Sequence, residues 1–227
     1  MAYETLIVEK EEEVGIVRLN RPPVNSLSAR SYGELYEAFS ELEGDESVKA
    51  IILTGAGEKS FAAGLDIIDV AGKTVAEYFK FADISRRAVD KIAAVNKPTI
   101  AALFGFVLGG GCELALACDL RISAPDATIG CPEVNLGIMP GSGGTQRMPR
   151  LIGVAKAKEL LMMGDTVSGE EAYRIGLVNK VVPKEGLLDE AKAWAKKLAK
   201  KPKVALGLIK TAIDTGMNMD LASAISF

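Results

Sequence analysis

Apolar and polar residues alternate in blocks that change period along the chain. Residues 5–9 and 14–19 are rich in Leu, Ile and Val, and the charged stretch between them suits a β-hairpin. Pro22 and Pro23 end the second run, because proline cannot donate to a sheet ladder. Residues 28–42 switch to helical spacing, with Leu35, Phe39 and Leu42 on one stripe. Residues 50–54 form a continuous apolar run, as expected of a strand buried on both faces. Gly55-Ala56-Gly57 breaks it. The pattern Thr74-x-x-Glu77 has the form of a capping box and predicts a helix to about Val95.

Beyond Pro98 the alternation continues. Residues 99–103 predict a strand, 112–118 a helix that follows a glycine run, and 120–123 another strand. Residues 154–163 predict a helix. Ser168-x-x-Glu171 reads as a second capping box, opening a short helix that Gly176 stops. Residues 178–182 predict a strand closed by Pro183, and from Leu187 onward the chain reads as helix, broken at Pro202. Strands and helices in alternation place the chain in the α/β class, built of βα or ββα units. No linker is visible. The division expected is a core over residues 1–185 carrying the site, and a helical C-terminal region over 186–227.

Composition removes several mechanisms. The chain has 227 residues, 48% of them hydrophobic, enough for a sizeable core. It contains no histidine, so a Ser-His-Asp triad, a Cys-His pair and His-ligated zinc are all excluded. Acid–base work falls to Asp, Glu, Lys, Tyr or Cys. The three cysteines, Cys112, Cys118 and Cys131, lack C-x-x-C spacing, so no metal site is expected and a reducing, cytoplasmic setting fits. A net charge of −3 argues against nucleic-acid binding. The lysine-rich stretch over 192–203 reads as a solvated helix face. No apolar run is long enough to span a membrane.

Candidate chemistry lies in three segments. In Leu108-Gly109-Gly110-Gly111-Cys112-Glu113, a strand runs into glycines and then a helix. The first N–H groups of such a helix are unpaired and favour a negative oxygen, although a tight packing turn explains the glycines equally well. Glu113 falls in the first turn among apolar or small neighbours, which marks it as buried. Glu133 lies in a loop-like stretch from Gly130 to Arg147, the one carboxylate among apolar residues there. Two carboxylates in an apolar cleft can divide acid and base roles, but sequence spacing alone does not show that they meet. The third segment, residues 60–68, surrounds Gly64 with small residues and reads as a loop feeding a helix, with Asp66 as its cap.

Together the three segments resemble the enoyl-CoA hydratase/isomerase, or crotonase, family over nearly the whole chain. The resemblance rests on Phe61-Ala62-Ala63-Gly64-Leu65-Asp66-Ile67, on Gly109-Gly110-Gly111-Cys112-Glu113-Leu114-Ala115, and on Pro132-Glu133 followed by Pro140-Gly141-Ser142-Gly143-Gly144-Thr145-Gln146-Arg147. It implies a spiral of ββα units with a helical C-terminal region, assembled as homotrimers or dimers of trimers. It implies a coenzyme A thioester substrate and no separate cofactor. The backbone N–H groups of Leu65 and Gly110 would form an oxyanion hole. Val24, Ala63, Leu65, Asp66, Ile67, Ile68 and Gly110 fall where the family contacts substrate. Glu113 and Glu133 match the two catalytic glutamates of the hydratase branch, whereas the Δ3–Δ2 isomerase branch commonly keeps only the second. The stretch from Pro22 to Leu27 is also similar to isomerase and multifunctional members, and Phe104 stands where many relatives have Asn. A non-catalytic RNA-binding relative is disfavoured by the lack of a basic stripe. The chain stops at Phe227, where the resemblance implies one or two further helices.

Overall fold

The computed structural model describes residues 3–227. The chain opens with β1 (Leu6–Glu11), β2 (Val14–Leu19) and α1 (Ala29–Gly44). It continues through β3 (Ala50–Gly55), β4 (Ser60–Ala62), α2 (Ile67–Val70) and α3 (Val75–Ala94), then β5 (Thr99–Leu103), β6 (Phe106–Leu108) and α4 (Gly110–Ala117). Next come β7 (Leu120–Ser123), β8 (Thr128–Gly130), a 3-10 turn (Glu133–Leu136), α5 (Gly144–Ile152) and α6 (Val154–Met163). The chain closes with β9 (Val167–Ser168), α7 (Gly169–Arg174), β10 (Lys180–Val181), α8 (Lys184–Ala199), α9 (Lys203–Gly216) and α10 (Leu221–Ser226).

The strands form two sheets. One has the order β1-β2-β3-β5-β7-β10, the other β4-β6-β8-β9. Among the described residues only the β1–β2 and β8–β9 strand pairs are antiparallel. Three successive turns of chain, β3–β4, β5–β6 and β7–β8, each give one strand to each sheet. This is the spiral of ββα units.

Strand periodicity divides the core in two. Ile51 and Leu53 of β3 face one way, with Leu35, Phe39 and Leu42 of α1 and Val89 and Ile92 of α3 in the same cluster. Ala50 and Ile52 face the other way, towards Leu187, Ala191 and Ala195 of α8. All six residues of β3 are buried, as a strand covered on both faces requires. The first helix of the C-terminal region thus fills one layer of the sheet core. Lys192, Lys196 and Lys203 pair with Glu11, Glu12 and Glu46, so the lysine-rich face is tied to neighbouring elements. Among the described residues no helix is long and apolar enough to cross a membrane.

Several expectations change. The segment read as a loop before α2 supplies β4, the strand running into the glycines is the separate β6, and the stretch left unassigned before Gly130 supplies β8, each of three residues and too short to show a period. The loop-like stretch ending at Arg147 becomes helical from Gly144, because α5 starts inside the glycine run. The strand expected over 178–182 is paired only at Lys180–Val181. The Thr74–Glu77 capping box is reciprocal, whereas at Ser168 only the serine side chain caps, accepting from Glu171 N.

Candidate active site

The site forms where the second sheet meets the N-terminus of α4. Gly109 caps that helix with φ of 52°, and Gly64 turns with φ of 90°. Both values favour glycine. The two backbones touch: a Cβ at Gly64 would lie 2.9 Å from the Leu108 carbonyl oxygen and 3.7 Å from Gly109 Cα. Leu65 follows Gly64, and Gly110 follows Gly109. Leu27 N donates to Gly64 O at 2.8 Å and Asp66 N to Leu27 O at 3.0 Å, which fixes the backbone on either side of Leu65. Among the described residues, neither Leu65 N–H nor Gly110 N–H has an acceptor.

Glu113 sits on α4, a helix buried all round, and is 3% exposed. Its Oε1 accepts from Ser142 N at 2.7 Å and from Gly144 N at 2.9 Å. Burial raises its pKa, and those two hydrogen bonds with the nearby Arg147 charge act in the opposite direction. Glu133 opens the 3-10 turn and points back at the glycine run, its Oε1 3.2 Å from where a Cβ at Gly109 would sit. Its Oε2 is buried without a hydrogen-bond partner. Burial first, then the like charge of Glu113, pushes the Glu133 carboxyl up to about 7. Neither carboxylate pairs with a cation among the described residues. The structure therefore brings together two carboxyls whose environments favour holding a proton, beside a pair of free N–H groups.

The other residues singled out by sequence are placed as follows. Val24 O accepts from Ala63 N at 3.0 Å. Asp66 caps α2 through Ile68 N at 3.0 Å and pairs with Arg21 at 2.5 Å, so its carboxylate is engaged within the protein. Ile67 and Ile68 are exposed, Ile68 at 87%, an unusual position for large apolar side chains. Sequence reading missed Tyr32. It is buried on α1, and its hydroxyl lies where a Cβ on Gly110 would go. Its ring meets Phe81 edge-on at 5.8 Å. Burial, with both glutamates nearby, pushes its phenol up and keeps it protonated. No pattern in the sequence points to it.

A spiral of paired strands, with a glycine-capped helix that carries one buried carboxyl and has a second, half-buried one beside its cap, defines a class of protein, and similarity to known proteins agrees with it. The chain belongs to the enoyl-CoA hydratase/isomerase family, whose model matches residues 9–227. It is 46% identical to a crotonyl-CoA hydratase of Syntrophomonas wolfei over 227 residues, covering 100% of this chain and 87% of that one. It is 44% identical to a short-chain-enoyl-CoA hydratase of Clostridium acetobutylicum over 228 residues, with coverage of 100% and 87%. Among solved structures, an enoyl-CoA hydratase from Bacillus anthracis superposes with a TM-score of 0.95 at 40% identity, covering 98% of this chain and 87% of that one.

Proposed function

We propose that this chain catalyses the reversible addition of water to a trans-2-enoyl-CoA thioester, giving the 3-hydroxyacyl-CoA. The observation that carries the reading is the meeting of Glu113 and Glu133, each with an oxygen unclaimed by any protein donor, beside the free N–H groups of Leu65 and Gly110.

In this mechanism the thioester oxygen lies between those two N–H groups. Water, held by the two glutamates, loses a proton to Glu113 and its oxygen bonds to Cβ. The double-bond electrons move towards the carbonyl, and the resulting enolate oxygen is stabilised by the N–H pair. One such donor contributes about 3–4 kcal/mol in comparable sites. Glu133, protonated near neutral pH, then delivers its proton to Cα. The pair starts and ends with one proton, so the reverse reaction uses the same ionisation state with the roles exchanged.

Val24, Ala63, Leu65, Asp66, Ile67, Ile68 and Gly110 would contact the substrate, with Leu65, Asp66, Ile67 and Ile68 meeting the coenzyme A portion through backbone more than side chain. The reaction needs no separate cofactor, since coenzyme A is part of the substrate. A cytoplasmic homotrimer or dimer of trimers, acting in fatty-acid β-oxidation, completes the proposal. Exposed apolar side chains on α9, among them Leu208, Ile209 and Ile213, are consistent with assembly. The test is a crotonyl-CoA hydration assay beside a 3-enoyl-CoA isomerisation assay. Loss of the conjugated-thioester absorbance supports hydration. Turnover of the 3-enoyl substrate alone would favour isomerisation.

A further inference from the structure

The hydrogen bonds that hold Glu113 come from a loop with little secondary structure of its own. Ser142 lies before α5, and Gly144 is its first residue. Bare loop N–H groups would hold a buried carboxylate poorly unless something fixed the loop. Arg147 does so from one turn further along α5. Its Nη1 donates to Ser142 O at 2.9 Å, and its Nη2 pairs with Asp90 of α3 at 3.0 Å. A second tie joins the same two elements, where Ser142 Oγ meets the buried Ser85 Oγ at 3.0 Å. A Cβ at Gly143 would run into the Arg147 guanidinium, so the glycine there lets the arginine fold back over the loop.

We propose that Arg147, anchored by Asp90, is a positioning residue for Glu113: it locks the 142–144 loop so that both N–H groups converge on one carboxylate oxygen. A guanidinium suits this task because its planar fork can serve a carbonyl and a carboxylate at once, which an ammonium does less well. The chain of contacts runs from α3 through Arg147 to the loop and then to Glu113. The arginine touches neither carboxyl and lies outside the proposed reacting atoms. Its charge also lowers the proton affinity of Glu113. The other ionisable groups around Glu113 are Glu133 from the 3-10 turn, Tyr32 from α1 and Cys131 after β8, and none carries positive charge.

The role assigned to Glu113 rests on the hydratase reading, but the positioning of its carboxyl does not. The experiment therefore has two independent readouts. The Glu113 carboxyl is titrated by carbon-13 NMR of glutamate-labelled protein, assigned through Glu113→Gln, in wild type, Arg147→Gln, Arg147→Lys and Asp90→Asn. Crotonyl-CoA hydration is measured on the same samples, with binding of the unreactive butyryl-CoA as control. Arg147→Gln is expected to raise the Glu113 midpoint and lower kcat by about tenfold or more, with butyryl-CoA affinity within about twofold of wild type. Arg147→Lys should restore the midpoint more fully than kcat, because it keeps the charge and loses the fork. If Arg147→Gln fails to fold, Asp90→Asn, which leaves the arginine in place, should move both readouts in the same direction by less. An unchanged Glu113 midpoint in every folded variant overturns the positioning role, whatever the activity. A wild type inert to crotonyl-CoA overturns the hydratase reading, and the titration still decides the role of Arg147.

Discussion

The Glu133 carboxylate rests against Gly109, with Oε1 3.2 Å from the point a Cβ would occupy, and Gly109 has the positive φ that caps α4. One glycine therefore serves two needs. Its backbone turns the chain so that the next N–H is free, and its bare Cα leaves room for the carboxylate. A side chain here would crowd that carboxylate.

Replacing Glu113 or Glu133 by Gln should leave the fold intact. In Glu113→Gln the new amide oxygen still accepts from Ser142 N and Gly144 N. Hydration should fall by about 10²–10⁴-fold in each variant, the usual contribution of a positioned acid or base. Butyryl-CoA affinity should change little. Steady-state kinetics with isothermal titration would check both statements.

One proton shared by the pair makes activity bell-shaped in pH. With Glu133 raised to about 7, activity falls as pH rises through that value and the pair loses its proton. It falls again at lower pH when a second proton is added. Because hydration neither takes up nor releases a proton overall, kcat/KM for hydration and for dehydration should show the same profile. Initial rates between about pH 5 and 9 would test the shared proton, and a kcat/KM that stays level or rises from about pH 7 to 9 would contradict it.

The same carboxyl makes a stability prediction. A folded-state pKa of about 7 against a reference of 4.5 means that the folded protein gains stability on protonation. That gain is full below about pH 4.5 and is lost as pH rises through about 7. Glu133→Gln escapes the loss, so it should be more stable than wild type at about pH 8, on the order of 2 kcal/mol once partial solvent exposure is allowed for. By about pH 5 most of the difference should have closed. Urea unfolding at the two pH values measures it.

Much of the fold is legible from the chain. The helical stripe of Leu35, Phe39 and Leu42 is buried in one cluster, and the capping box at Thr74 starts α3. What escapes is the second sheet, because three-residue strands carry too few positions to display alternation. The burial of Glu113 can be read from its apolar neighbours. Its meeting with Glu133 cannot, since that depends on β6 and β8 lying side by side. Tyr32 is invisible for a related reason: its contact with Gly110 joins α1 to α4 across the core.

That contact can be tested by a double-mutant cycle. Gly110→Ala places a methyl group against the Tyr32 hydroxyl, and overpacking of this kind costs about 1–3 kcal/mol. Tyr32→Phe removes the hydroxyl and leaves the ring carbon 3.6 Å from the new methyl, an ordinary contact. The pair should therefore be less destabilised than the sum of the single changes, with a coupling on the order of 1 kcal/mol. Strict additivity would show that the two residues do not meet.

The most direct test of the two-carboxyl site is to follow crotonyl-CoA absorbance with wild type, Glu113→Gln and Glu133→Gln under one set of conditions. Rapid loss of the conjugated-thioester signal with wild type, and near-complete retention of it with both variants, is expected. A wild type that leaves crotonyl-CoA untouched, or a Glu113→Gln protein that hydrates it at close to the normal rate, would contradict the assignment.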